Sequence, residues 1–181
     1  MKSVITTLLG GTLLAVSLSA AAAQLSPEDQ IETRKAGFTY MAWNMGKIKA
    51  QVIDESVEYN PEQVSAAANA IAAIANSGMG ALFGGEGNDI LLGVDGDDRI
   101  VGDEGALFGP GTGQDVGKQV TRADPALFAN MNDMAELAGN LGTASDNLVA
   151  AAATGDASAV RVAFGEVGKS CKACHDKYRL D

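Results

Sequence analysis

Histidine is nearly absent from this 181-residue chain: His175 is the only one. Cysteine is almost as scarce, with Cys171 and Cys174 alone. No nucleophile with an adjacent base and no phosphate-binding glycine loop accompanies them, so substrate turnover, and with it an enzyme, is not expected. A structural disulfide between the two cysteines would close a loop of two intervening residues and constrain the unfolded chain very little. A zinc site wants four ligands and finds three here. Positive charge is short as well, with 13 lysines and arginines against 23 acids. That balance keeps a small protein soluble and argues against nucleic acid as a partner.

What is present begins with Met1-Lys2, an apolar stretch from Val4 to Leu18, and Ala21-Ala22-Ala23 before Gln24. This is the layout of a secretory signal peptide over residues 1–23, and it predicts a mature chain from Gln24 in the periplasm. The stretch is short for a membrane span, and the polar Ser26-Pro27-Glu28-Asp29 follows at once, so no membrane association is expected after cleavage. Losing Lys2 leaves 12 bases against 23 acids, a mature net charge of −11. Residues 24–181 suit one domain that buries a core without disulfides.

Four stripes of side chains recur at helical spacing. The first reads Ile31, Arg34, Phe38, Met41, Met45, Ile48 and Val52, behind Ser26-Pro27. The second, Val64, Ala68, Ile71 and Ile74, follows Asn60-Pro61. A third follows Asp124-Pro125 and reads Leu127, Met131, Met134, Ala138, Leu141, Ser145 and Leu148, with Gly139 and Gly142 as weak points. The last follows Gly155-Asp156 and reads Val160, Phe164, Val167, Cys171, Cys174 and Tyr178. Four amphipathic helices with few strand signals predict an all-α fold, an antiparallel up-and-down four-helix bundle.

Cys171-Lys172-Ala173-Cys174-His175 is the C-x-x-C-H pattern of covalent c-type haem attachment. On a helix, cysteines at i and i+3 share a face, and the next residue can turn its imidazole the same way. Two thioether bonds would hold one haem c per chain while His175 ligates the iron. A thioredoxin-like redox pair is the rival reading, but it usually accompanies a βαβ pattern that is missing here. With no second histidine, a sixth ligand could only be a methionine: Met41, Met45, Met79, Met131 or Met134. Such ligation would make the protein a low-spin electron carrier, although methionines at core spacing are usually packing.

The run Ala163-Phe164-Gly165-Glu166-Val167-Gly168-Lys169-Ser170 leading into Cys171-Lys172-Ala173-Cys174-His175-Asp176-Lys177-Tyr178-Arg179 resembles the end of a cytochrome c prime. So do Thr33-Arg34-Lys35-Ala36-Gly37-Phe38-Thr39-Tyr40-Met41 and the Ala-Leu-Phe-Gly-Pro-Gly-Thr connection, and the resemblance spans residues 24–181 apart from one insertion. It implies a haem bundle, often a homodimer, with a five-coordinate high-spin iron whose distal side is closed by an apolar or aromatic side chain. Phe38 matches that lid, which would admit small diatomics such as nitric oxide and carbon monoxide and select by size and polarity. Electron exchange with a redox partner protein is compatible with it. The arginine matching Arg34 lies near a haem propionate, a pairing that would offset the cost of a charge on the core stripe; snorkelling to the surface is the alternative. Lys35 and Thr121 align with the same edge, and Arg179 with the proximal side.

The insertion is residues 84–105, placed between the second and third helices. Its flanks repeat, Gly80-Ala81-Leu82-Phe83 recurring as Gly105-Ala106-Leu107-Phe108. Gly84-Gly85-Glu86-Gly87-Asn88-Asp89-Ile90-Leu91-Leu92 matches the nonapeptide of calcium-binding β-rolls of the RTX type, and the next nine residues repeat it less well, keeping Gly96, Asp98 and Ile100. Asp89 and Asp98 are the candidate calcium ligands of a calcium-responsive loop. The third loop has Leu107 where aspartate belongs, and such arrays generally need three repeats. A hairpin turning at Val94-Asp95-Gly96-Asp97 and a solvated acidic loop of net charge −6 are the other readings.

Overall fold

The structure is a computed structural model, and it describes residues 25–77, 108 and 111–181. Residues 1–23, read as the signal peptide, and residues 84–105, with Asp89 and Asp98, lie outside the described residues. Four helices follow in order: α1 (Pro27–Val52), α2 (Pro61–Ala75), α3 (Met131–Ala153) and α4 (Ala157–Tyr178). They form the all-α up-and-down bundle that the stripes predict, and no described helix is long and apolar enough to cross a membrane.

Local side-chain chemistry starts α1, α2 and α4, whereas α3 has no side-chain cap. Ser26 Oγ accepts the Asp29 amide at 3.2 Å, Pro27 occupies the first turn where its missing N–H costs nothing, and Glu28 and Asp29 face the positive helix end. Asn60 caps α2 by accepting from Gln63 N at 3.0 Å, and Asp156 caps α4 by accepting from Ser158 N at 2.8 Å. Between α3 and α4 the chain reverses at Gly155, whose φ of +72° lies in the left-handed region open to glycine.

The third stripe predicts one helix from Asp124-Pro125, and the structure corrects this. Pro125–Ala129 is a separate 3₁₀ helix capped by Asp124, and α3 begins only at Met131. Asn130 leaves helical geometry at φ −129°, ψ 45°, and its N–H bonds to Leu127 O in the tighter three-residue pattern. Leu127 is still buried, because the break keeps its direction toward the core.

Two apolar clusters fill the interior. The larger joins Ile48, Val52, Val64, Ile71, Leu148, Val160 and Val167, all fully buried, and takes in Cys171 at its margin. The smaller gathers Phe108, Leu127, Met134 and Tyr178, with Cys174 at its margin. Each fully buried aliphatic side chain contributes roughly 1.5–3 kcal/mol relative to exposure. Neighbouring helices pack along their lengths from α1 to α4, but α1 meets α4 only sparsely.

Candidate haem-attachment site

Helix α4 places the cysteines one turn apart, each half-buried and neither in a disulfide. Cys171 packs on the larger cluster and Cys174 on the smaller. Burial pushes both thiols above their usual pKa, and for Cys174 the neighbouring Cys171 and Asp133 push further. A reactive redox C-x-x-C is favoured by the opposite shift, toward thiolate, so the thioredoxin-like reading gains no support from this environment. His175, exposed on the last turns of α4, has its pKa lowered by partial burial and by the positive fields of Arg179 and Arg122, with Asp176 opposing. The neutral imidazole thus favoured is the form that ligates iron.

Opposite this motif, the α1 stripe is covered everywhere but at one place. Ile31, Arg34, Met41, Ile48 and Val52 are buried and Met45 is half-buried, whereas Phe38 is 41% exposed. An aromatic ring left uncovered on an otherwise buried stripe suits a flat apolar group that would complete its burial. The thiols at the junction of two apolar clusters, the neutral imidazole and the uncovered Phe38 together suit a porphyrin. Residues able to hold it are Cys171 and Cys174 as covalent anchors and His175 as the iron ligand.

Arg34 does not snorkel. It is 3% exposed, and its Nη2 donates to Thr112 O at 2.7 Å and to Thr121 Oγ1 at 2.6 Å. Its guanidinium stacks on the Phe108 ring, 4.5 Å from the centroid. Burial draws its pKa down to about 10, still far enough above neutrality to keep the charge. Arg34 and Thr121 are thus in direct contact, while Lys35 reaches Gln119 Oε1, two residues before Thr121, at 3.2 Å on the surface. Arg179 stands apart from them, at the exposed end of α4, where its N–H closes the helix on His175 O at 3.1 Å.

Several contributors escape sequence reasoning. Thr112 and Phe108 serve Arg34 from more than 70 positions away, and no local pattern announces them. Asp133 accepts from Tyr178 Oη at 2.5 Å and Lys177 Nζ at 2.7 Å, tying the start of α3 to the end of α4. Arg122 donates from Nε to Leu180 O at 2.9 Å. Two open grooves, of about 420 Å³ between α3 and α4 and about 360 Å³ between α2 and α3, include neither cysteine nor His175, although Ser170 and Ala173, each next to a cysteine in the chain, line the first.

The chain is similar to known proteins. A family model described as Cytochrome C′ matches residues 29–97 and 98–179, and the break between the two matched stretches falls inside the glycine- and aspartate-rich segment. A cytochrome c′ of Allochromatium vinosum is 47% identical over 180 residues, covering 99% of each chain. The crystal structure of cytochrome c′ from Thermochromatium tepidum is 53% identical, with a TM-score of 0.71 over 88% of this chain and 100% of that one. At 26% identity, a nitric oxide complex of a cytochrome c prime variant from Alcaligenes xylosoxidans gives a TM-score of 0.63 over 87% and 99% of the two chains.

Proposed function

This chain belongs to the cytochrome c′ family, and from that premise we propose that it is a periplasmic haem protein that binds small diatomic gases at a five-coordinate iron. The observation that carries the reading is the pair of faces described above: thiols and imidazole on α4, and the uncovered Phe38 ring on α1. Haem supplies an iron centre able to bind nitric oxide or carbon monoxide. The chain's own part is to anchor it through Cys171 and Cys174, to present a neutral His175 on one side, and to guard the other side with Phe38. A bulky apolar ring there disfavours water and admits uncharged diatomics. Arg34, with Lys35 and Thr121 beside it, forms the cationic edge suited to propionates. Arg179 shapes the approach on the His175 side.

Methionine ligation gains no support from the packing. Met41, on the seam beyond Phe38, is 4% exposed and belongs to the larger cluster, while Met134 packs in the smaller. Both are core filler. Cleavage after residue 23 places the chain in the periplasm, where electron exchange with a partner protein is also open to it. The outer face of α1 favours a homodimer: Trp43 is 55% exposed and lies 5.5 Å from the Tyr40 ring, with Lys47 over it at 3.3 Å. Exposed tryptophan and tyrosine on one helix face are common at interfaces.

Absorption and resonance Raman spectra of the reduced, periplasmically matured protein, before and after adding carbon monoxide or nitric oxide, test this. A high-spin five-coordinate spectrum that shifts on gas addition is expected. A low-spin spectrum unmoved by gas would overturn it in favour of an electron carrier.

A further inference from the structure

The segment between residues 111 and 124 joins the two sides of the site through one side chain. Thr121 Oγ1 accepts from Arg34 Nη2 at 2.6 Å and from Ala123 N at 3.2 Å. From that point the chain runs antiparallel to the last residues of the protein. Ala123 bridges Arg179, Asp124 N donates to Tyr178 O at 2.9 Å, and Leu180 N donates to Arg122 O at 2.8 Å. Arg122 adds a side-chain bond to Leu180 O at 2.9 Å. Arg179, whose N–H bonds to His175 O at 3.1 Å, and Arg122 therefore both stand on this three-residue pairing.

We propose that Thr121 is a positioning residue, whose single hydroxyl ties Arg34 on α1 to the short ribbon that holds Arg122 and Arg179 beside His175. The inference rests on the haem reading of Cys171, Cys174 and His175. A two-stranded pairing this short is marginal by itself, so its geometry depends on what fixes its ends. One end is α4. The other is Thr121, whose amide donates to Asp115 Oδ1 at 2.9 Å and whose hydroxyl makes the direct tie to Arg34, in a segment that makes no regular helix before Pro125. Without the oxygen, the Ala123 amide loses its acceptor and the guanidinium loses one of its two acceptors described above. The direct hydrogen-bonded route from Arg34 to the ribbon is then cut. That route is a contiguous path between two distinct places, one physical means by which they can be coupled.

The test uses the holoprotein with Thr121→Val, which keeps the shape and removes the oxygen, and Thr121→Ser, which restores it. Two readouts are taken: the iron–histidine band in the ferrous resonance Raman spectrum, and hydrogen exchange at the Asp124 and Leu180 amides. Thr121→Val is expected to shift the band and to speed exchange at both amides by about tenfold, the scale of one hydrogen bond lost from a local opening. Thr121→Ser should match the parent in both. A band left in place refutes the positioning role, whether or not exchange or the melting temperature changes. So does Thr121→Ser behaving like Thr121→Val, which would assign the effect to the methyl group. A parent chain without covalent haem would refute the underlying reading instead, and amide exchange would still decide whether Thr121 holds the ribbon.

Discussion

Replacing Arg34 by methionine tests how a charge on the core stripe is tolerated. The side chain is 3% exposed, donates to Thr112 O and Thr121 Oγ1 and stacks on Phe108. Hydrogen bonds from a charged donor contribute about 1.5–3 kcal/mol each, and a desolvated cation–aromatic contact up to about 2 kcal/mol. Against this stands the cost of taking a guanidinium out of water, several kcal/mol, which methionine avoids. The balance turns on what stays behind. Thr112 is fully buried and its carbonyl loses this donor, a penalty of about 1–3 kcal/mol, whereas Thr121 is only half-buried and can turn to solvent. A net destabilisation of about 2–4 kcal/mol follows, or roughly 5–15 °C in melting temperature for a domain of this size. Thermal melts followed by far-UV circular dichroism, with Arg34→Lys as the intermediate case that keeps charge but not the planar fork, measure it. A methionine variant as stable as the parent would show that the partners do no more than offset desolvation.

Further outcomes follow from other contacts. Leu148→Ala, at a fully buried position of the larger cluster, should cost about 3–5 kcal/mol in urea unfolding. Phe38→Ala should speed carbon monoxide association to the ferrous protein by on the order of tenfold, the scale of one lost pocket contact, as read by stopped flow; an unchanged rate would remove Phe38 from the lid. Tyr178 donates to Asp133, which pushes its pKa up to about 12. Since the protonated phenol is favoured in the folded state, this stabilisation is complete below pH 10 and fades as pH rises from 10 through 12. Tyr178→Phe should therefore flatten the stability profile in that alkaline window. Asp133, with its pKa lowered by the hydrogen bonds from Lys177 and Tyr178, stabilises above the ordinary aspartate range and loses the effect as acid protonates it. Asp133→Asn should remove that part of the acid transition.

The signals readable in the sequence are those that act within a turn or two of chain. Ser26, Asn60 and Asp156 each stand at the helix start that their side chain makes, and Cys171, Cys174 and His175 share a short motif on one helix. The break before α3 is hidden because Leu127, Met131 and Met134 keep helical spacing across it. Periodicity reports the direction of a side chain and says nothing of the hydrogen-bond pattern underneath. Thr112 is hidden for another reason: it comes from a segment with no period at all, where only the family resemblance singles out Thr121. Phe38 shows the limit of stripe reading in the other direction, since its spacing promises burial that the protein alone does not supply.

The division of the interior into two clusters, with one cysteine at the margin of each, bears on cooperativity. Ile74 packs against both, and otherwise their members differ, so regions of the bundle could open to different extents. A group covalently bound to both Cys171 and Cys174 would span the boundary and tie the opening of one cluster to that of the other. Maturation would then raise the cooperativity of unfolding as well as load the site.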